Sequence, residues 1–258
     1  MQTTKTVKVN FSGWHGNRLD GRLELPADNI KAYAIICNCF TCTKDTITTY
    51  RISKALAQHG YATLRFDFSG LGDSEGVFSQ TSFSSNVYEV VAAAGFLKQS
   101  YQAPSLLIGH SLGGTATLVA AMQANEVMAD VSAISTIASP SQPDHILHHF
   151  GDALALLEQG IASSINVAGQ QYEIEPPFIK DLITYDMNTL LSSLNKPVLI
   201  FNIKNDELVG ESNAVELDQW IEGDSKIITL ENTNHLLSAR PDTELVAKEI
   251  INWYEKIN

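Results

Sequence analysis

The sequence has little positive charge, few cysteines and no long apolar run. Its 258 residues include 17 Lys and Arg against 29 Asp and Glu, which gives a formal net charge of −12 at pH 7. Because phosphate-backbone binding relies on clustered Lys and Arg, the composition excludes nucleic acid as an expected partner. No apolar run reaches the roughly 18 residues needed to cross a bilayer, and the amino terminus lacks the apolar segment of a signal peptide. We therefore expect a cytoplasmic protein with no membrane span.

Only three cysteines are present, Cys37, Cys39 and Cys42. Zinc usually takes four ligands and there is no fourth cysteine, so we expect neither a metal nor a cofactor. An odd, clustered set also argues against a disulfide framework, and the pattern favours buried or pocket-lining thiols. A metal or redox protein built on these three residues is the alternative, which elemental analysis would test.

The most informative motif that is present is G-H-S-L-G at residues 109–113. It follows the apolar run Ser105–Ile108 and leads into a small-residue helix pattern over Thr115–Ala124. This is the setting of a nucleophile elbow, in which a serine lies between a strand and a helix and the flanking glycines remove side chains that would collide. The motif predicts Ser111 as a nucleophile.

A serine nucleophile needs an imidazole base and a carboxylate that orients the imidazole. In this setting the chain order is serine, acid, histidine. His235 follows the apolar run Lys226–Leu230 on a loop, and we predict it as the base. The other histidines after the elbow lie in a stretch of turn and helix signals: His145, His148 and His149.

The predicted acid is Asp206, on the loop directly after the buried strand pattern Pro197–Ile203. A carboxylate there lies at the carboxyl edge of the sheet and can face His235. A turn-forming aspartate is the alternative role for Asp206, and Glu207 is a nearby competitor. Three aspartates precede this strand and fit less well: Asp130, Asp144 and Asp152.

Acyl transfer also needs N–H donors for the tetrahedral oxyanion. One donor comes from the residue after the nucleophile and one from the loop after the third strand. The first donor is the amide of Leu112. The second is predicted to be the amide of Phe40, with Thr41 as the alternative, because both follow the third apolar run.

The apolar pattern along the chain predicts an α/β fold. Eight strand-like runs are present: Val7–Phe11, Arg22–Leu25, Ala32–Cys37, Ala62–Phe66, Ser105–Ile108, Ala133–Ile137, Pro197–Ile203 and Lys226–Leu230. Helical patterns alternate with them after the third run: Ile47–His59, Phe83–Gln99, Thr115–Ala124 and Thr243–Ile257. Such alternation implies a mostly parallel sheet with helices on both faces, whereas the first two runs suggest an antiparallel hairpin at one edge. The length suits a single domain over residues 1–258.

Residues 139–196 separate the sixth and seventh strands and are too many for one crossover helix. We expect a cap insert here, with a helix over Ile146–Gly160, a small hairpin over Ile165–Ile174 and a second helix over Phe178–Leu191. Four of its apolar residues could contact an acyl or alcohol group: Phe150, Leu154, Leu157 and Phe178. For each of them, packing onto the core is the alternative.

With elbow, acid and base in this order, the chain resembles the α/β-hydrolase superfamily over nearly its full length. A closer likeness rests on NCFTCTKD (38–45), LRFDFSGLGDSEG (64–76), FSSNVYEV (83–90), LLIGHSLGG (106–114) and TNHLLS (233–238). Together these strings resemble the hydrolase module found alone or fused to an OsmC-type redox domain in bacteria. The resemblance implies a carboxylesterase or related acyl hydrolase with Ser111, Asp206 and His235 as its triad. Asn38 departs from the pattern, since many relatives carry His there, and we expect no redox domain after Asn258.

We therefore expect a cofactor-free serine esterase that cleaves short- to medium-chain carboxylic esters through an acyl-enzyme. An acidic surface weakly repels anions and so favours a neutral small-molecule ester. Thioester hydrolysis or peptidase-like acyl transfer by the same triad stays open, as does a binding protein on a degenerate hydrolase scaffold. Substrate profiling separates the enzymes, and labelling of Ser111 by a fluorophosphonate probe tests the binding protein.

Overall fold

The structure is a computed structural model that describes residues 3–258. Eight of its strands form one sheet: β1 Thr4–Ser12, β2 Arg18–Pro26, β3 Ala32–Cys37, β4 Tyr61–Phe66, β5 Leu106–His110, β6 Ala133–Ile137, β9 Val198–Ile203 and β10 Ser225–Leu230. A separate two-stranded sheet pairs β7 Ser163–Val167 with β8 Gln170–Ile174. The eight strands of the large sheet are the eight predicted from the apolar runs.

The large sheet has the order β1-β2-β4-β3-β5-β6-β9-β10. Strand β2 is antiparallel to both of its neighbours, and every other pair is parallel. All residues of β3, β4, β5, β6 and β9 are buried, as parallel strands covered on both faces must be. The predicted mostly parallel sheet with a hairpin at one edge is confirmed.

Helices cover both faces of the sheet. Residues 3–258 contain nine α-helices: α1 Ile47–Gln58, α2 Phe83–Ser100, α3 Leu112–Ala121, α4 Glu126–Ala129, α5 Asp152–Glu158, α6 Pro176–Leu182, α7 Met187–Leu191, α8 Ser212–Trp220 and α9 Arg240–Ile257. Short 3-10 turns occupy Trp14–Gly16, Phe78–Gln80 and Pro143–His149. The apolar side chains of α2, α3 and α8 form the core on one face, and those of α1 and α9 form the core on the other.

Local sequence accounts for where several helices begin. Helix α2 starts with a capping box, because Ser82 and Ser85 each accept a hydrogen bond from the backbone N–H of the other. Helix α9 starts three residues before the predicted Thr243, with Pro241 in its first turn, where a missing N–H costs nothing. Helix α3 also starts three residues early, directly after Ser111.

The segment between β6 and β9 carries shorter elements than predicted. A single helix over 146–160 was expected, but a 3-10 turn and α5 are separated at Gly151, which has φ +53°. The expected helix over 178–191 is likewise divided into α6 and α7, because the Asp186 side chain accepts a hydrogen bond from the Thr189 N–H and caps a new helix. The hairpin β7–β8 lies where the sequence predicts it.

Among residues 3–258, no helix combines the length and the apolar character that crossing a membrane would require.

Candidate active site

Ser111 lies in the turn between β5 and α3, with φ +53° and ψ −131°. This conformation is uncommon for a residue that has a Cβ, and such residues cost about 1–3 kcal/mol each. The Ser111 N–H donates to the Ile137 carbonyl at 2.8 Å, which ties the turn to β6. The backbone therefore has the geometry of a nucleophile elbow.

The glycines around Ser111 are required by close backbone packing. A Cβ on Gly109 would overlap the backbone of Gly113 and Gly114, and a Cβ on Gly113 would overlap the carbonyl oxygen of Asn38. Helix α3 can thus approach both β5 and the loop after β3 only because these side chains are missing. The G-x-S-x-G spacing is explained by this packing.

Asp206 and His235 are brought together at the carboxyl edge of the sheet. Asp206 follows β9, His235 follows β10, and His235 Nδ1 lies 2.7 Å from Asp206 Oδ2. The other oxygen, Oδ1, accepts from the N–H groups of Leu208 and Val209 at 2.9 and 3.2 Å. Burial alone raises the pKa of the Asp206 carboxyl, but these hydrogen bonds and the facing imidazole outweigh it and hold the pKa below its ordinary value.

His235 Nε2 makes no hydrogen bond to any residue of 3–258, and none joins it to the Ser111 hydroxyl. The two residues are nevertheless close, because His110, next to Ser111, donates from Nε2 to the His235 carbonyl at 2.7 Å. Hydrogen bonds of this kind are often long without substrate and tighten in the complex. The structure therefore brings the predicted base and acid together, and it places the His235 ring 5.0 Å from that of His110, the neighbour of Ser111, centroid to centroid.

His110 is a supporting residue that sequence reasoning missed. Burial, and to a lesser extent the nearby His235 ring, lower the pKa of its imidazole to about 3. The ring is therefore neutral at pH 7, and Nε2 must carry the proton because a carbonyl can only accept. The motif alone gives no signal for this contact, since it joins residues 125 positions apart.

Both predicted oxyanion donors have unoccupied N–H groups. Leu112 is the first residue of α3, where helical N–H groups lack an intrahelical acceptor. Neither its N–H nor that of Phe40 has an acceptor within residues 3–258, and the same is true of Thr41. Phe40 and Leu112 line the same narrow cavity. The N–H groups of both Phe40 and Thr41 are therefore free to act as the second donor.

The expectation of three free thiols is wrong for two of them. Cys39 and Cys42 form a disulfide across a turn in which the Cα atoms lie 5.2 Å apart, a separation that suits such a bond. The turn also has a hydrogen bond from the Cys42 N–H to the Cys39 carbonyl at 3.1 Å. Only Cys37 stays a buried free thiol, and burial raises the pKa of that thiol.

A buried ionic cluster fixes the far end of this loop. The Lys44 ammonium is 1% exposed and lies 2.6 Å from Asp67, 2.9 Å from Asp73 and 3.1 Å from Asp20. Burial lowers the pKa of Lys44, but the carboxylates outweigh it and raise the pKa above its ordinary value. The three carboxylates lie close enough to hold a cation, and the lysine supplies that cation itself.

The segment between β6 and β9 packs over the loop after β3. Four aromatic rings meet there, with Phe40 5.7 Å from Phe178, 5.8 Å from Phe78 and 6.2 Å from Phe150, centroid to centroid. Phe178 also lines the narrow cavity beside Leu112. A second, wider groove between α1 and α9 contains none of the predicted site residues.

Two of the other candidate histidines contact the loop that carries Asp206 without joining the Asp206–His235 pair. His145 and His149 both place Nε2 near the Leu208 carbonyl, at 3.0 and 3.2 Å. Glu207, the competitor for the acid, is exposed. The insert therefore touches the loop that carries Asp206.

Comparison with known proteins agrees with this architecture. A family model described as serine aminopeptidase, S33, matches residues 43–176, just over half of the chain. The esterase domain of a Rhodothermus marinus protein is 33% identical, has a TM-score of 0.80 and aligns over 98% of this chain and 100% of its own. The chain belongs to this hydrolase family. The predicted α/β-hydrolase fold and superfamily are thereby confirmed.

More distant similarity is found to a solved structure and to a curated protein. Est1E from Butyrivibrio proteoclasticus, solved with ferulic acid, is 20% identical with a TM-score of 0.79, covering 96% of this chain and 98% of its own. The human mitochondrial palmitoyl-protein thioesterase ABHD10 is 23% identical over 210 residues, which cover 77% of this chain. The chain spans 65% of the length of that curated relative.

Proposed function

We propose that this protein is a serine esterase that hydrolyses short- to medium-chain carboxylic esters. The observation that carries the proposal is the 2.7 Å hydrogen bond between His235 and Asp206, beside the strained turn at Ser111. Membership of the hydrolase family and the likeness to the Rhodothermus marinus esterase domain support it. No cofactor is needed for this chemistry.

In the proposed reaction, Ser111 Oγ attacks the ester carbonyl carbon and its proton passes to His235 Nε2. Asp206 holds the Nδ1 proton and stabilises the imidazolium that forms. The tetrahedral oxyanion accepts hydrogen bonds from the Leu112 and Phe40 amides, each worth about 2.7–4 kcal/mol of barrier in comparable enzymes. His235 then protonates the leaving alcohol, and water resolves the acyl-enzyme by the same route in reverse.

The surroundings of the elbow favour a small, neutral acyl group. The cavity beside Leu112 is narrow and is lined largely by apolar side chains, including Phe40, Phe78 and Phe178. The net charge of −12 weakly disfavours anionic substrates. We expect kcat/KM to be highest for short chains in a panel of p-nitrophenyl esters that differ only in acyl length.

The decisive experiment is Ser111→Ala. Hydrolysis of p-nitrophenyl acetate should fall by about 10⁵–10⁶-fold, with an unchanged circular dichroism spectrum. Ser192→Ala, at an exposed serine, is the matched control and should retain activity. Activity retained by Ser111→Ala rejects the assignment. A wild-type chain that neither turns over esters nor reacts with a fluorophosphonate probe would instead be a binding protein.

Thioester hydrolysis is a second candidate, because the curated palmitoyl-protein thioesterases are relatives. The same three side chains could cleave a thioester through the same acyl-enzyme. Matched oxygen esters and thioesters of equal acyl length separate the two. A far higher kcat/KM for the thioester would make thioesterase the primary function.

A further inference from the structure

We propose that the Cys39–Cys42 disulfide positions the Phe40 amide in the oxyanion hole, so that ester hydrolysis depends on the redox state of this pair. The proposal rests on the proposed function, since it assigns Phe40 as an oxyanion donor. The disulfide closes a ring of four residues that contains Phe40 and Thr41. Within residues 3–258 it is the one cross-link between side chains.

The chain on either side of the ring is fixed by buried contacts. Before it, the Asn38 side chain donates to the Phe66 carbonyl at 2.7 Å. After it, the Lys44 backbone N–H donates to Asp67 Oδ1 at 2.6 Å, and the Lys44 ammonium binds the same carboxylate. Between these two anchors the Phe40 ring packs against three other phenylalanine rings, and the disulfide is the covalent constraint on the backbone of the turn.

The conformation inside the ring is one that an unconstrained chain seldom adopts. Thr41 has φ +61°, which is uncommon for a β-branched residue and costs about 1–3 kcal/mol. Two polar contacts help to hold the turn, from the Cys42 N–H to the Cys39 carbonyl and from the Tyr172 hydroxyl to the Thr41 carbonyl at 3.3 Å. Opening the disulfide leaves these weaker contacts to hold both peptides of the turn: Cys39–Phe40, which carries the Phe40 N–H, and Phe40–Thr41.

The pair is accessible to a small reductant. Cys39 is 7% exposed and Cys42 is partly exposed, whereas Cys37 is fully buried. A thiolate of a dithiol reductant attacks Cys42 Sγ, which breaks the Cys39–Cys42 bond and forms a mixed disulfide. The second thiol of the reductant then closes its own disulfide and releases Cys42. The protein gains two electrons and two protons, and the reductant loses them.

The expected effect is on turnover more than on binding. Removing one oxyanion donor costs about 10²–10³ in kcat, and displacing the donor should cost less, about 10-fold. KM should change little, because the donor acts on charge that develops in the transition state. A compartment that keeps thiols reduced would hold the enzyme in its slower form.

The test measures kcat and KM for p-nitrophenyl acetate on four samples of the full chain. These are the oxidised protein, the protein reduced with dithiothreitol and desalted under nitrogen, the reoxidised protein, and the variant Cys39→Ala/Cys42→Ala. We expect kcat to fall about 10-fold in the reduced sample and in the variant, and to recover on reoxidation. Thiol titration in denaturant, which exposes the buried Cys37, should find one free thiol before reduction and three after it, as the disulfide and the single free cysteine require.

Two controls keep this test separate from the proposed function. Cys37→Ala should respond to reduction as the wild type does, because that thiol lies outside the ring. Ser111→Ala decides whether ester hydrolysis belongs to the elbow at all. If Ser111→Ala is inactive while reduced and oxidised wild type have equal kcat, the redox inference is overturned and the esterase stands. Three free thiols in the oxidised protein would also overturn it.

Discussion

Two buried carboxylates follow parallel strands at the same edge of the sheet, Asp67 after β4 and Asp206 after β9, and their surroundings are closely matched. Asp67 accepts from the N–H groups of Lys44 and Asp73 and from the Lys44 ammonium. Asp206 accepts from the N–H groups of Leu208 and Val209 and from the His235 imidazole. Each therefore binds two backbone donors and one basic side chain.

The basic partner is what distinguishes the two carboxylates. Lys44 is shared among three carboxylates and is 1% exposed, so its charge is fixed and its donors are used. His235 has a free Nε2 within the described chain, and its side chain is 10% exposed. A lysine in such a cluster stays protonated, whereas an imidazole with a free ring nitrogen can accept a proton from a nucleophile. We infer that the Lys44 cluster fixes the loop after β3 and that the Asp206–His235 pair takes part in catalysis.

Asp206→Asn should reduce activity strongly while leaving the stability of the fold almost unchanged. The amide can still accept from Leu208 and Val209, but it no longer holds the His235 tautomer, so kcat for an ester should fall about 10⁴-fold. The urea midpoint of unfolding should change little. Glu207→Gln is the neighbouring control, because Glu207 is exposed. Equal activity of Asp206→Asn and wild type would remove Asp206 from the proposed triad.

Lys44→Met should show the opposite behaviour. It leaves the carboxylates of Asp20 and Asp67 buried without their ammonium, and breaking a buried pair in this way costs about 3–5 kcal/mol of unfolding free energy. Urea denaturation measures the loss. The fraction that remains folded should keep far more activity than Asp206→Asn does.

The control for Lys44 is an exposed ion pair. Lys98 lies 2.8 Å from Asp130, with both side chains more than 40% exposed. Lys98→Met should therefore cost no more than about 1 kcal/mol. If Lys44→Met were as mild as Lys98→Met, the cluster would not be what fixes the loop after β3.

The sequence predicts the positions of Asp206 and His235 because both follow strands that can be recognised. Buried parallel strands appear as continuous apolar runs, so the central strands of the sheet and the loops after them follow from the apolar pattern of the sequence. The fixed order of nucleophile, acid and base then reduces the choice to a few residues. The local breaks at Gly151 and Asp186 are harder to foresee, because the helical pattern continues across both.

The contacts that support the site could not be predicted in the same way. Nothing in the sequence around Lys44 indicates that its side chain is buried by carboxylates from β2 and from the loop after β4. The Cys39–Cys42 bond depends on the positive φ of Thr41 in the turn between them. The Lys44 cluster depends on how distant segments pack together, and the disulfide depends on a strained turn. Neither produces a periodic pattern of apolar residues in the sequence.

His110 offers a third buried base at this edge, one with no carboxylate partner. Burial, together with the nearby His235 ring, lowers the pKa of its imidazole from 6.5 to about 3, so between these pH values the unfolded chain binds a proton that the folded chain does not. The contribution of neutral His110 to the free energy of unfolding is fully present above about pH 6.5 and is lost as the pH falls. Between pH 7 and pH 5 the free energy of unfolding should fall by about 2 kcal/mol from this residue.

His110→Gln tests this directly, because the amide nitrogen of glutamine can still donate to the His235 carbonyl while the side chain cannot be protonated. The difference in unfolding free energy between pH 7 and pH 5, measured in urea, should be smaller in His110→Gln than in wild type by about 2 kcal/mol. His59→Gln, at an exposed histidine, should leave that difference unchanged. If His110→Gln and wild type lose equal stability on acidification, His110 is not held neutral by burial. The comparison of buried bases would then rest on Lys44 and His235 alone.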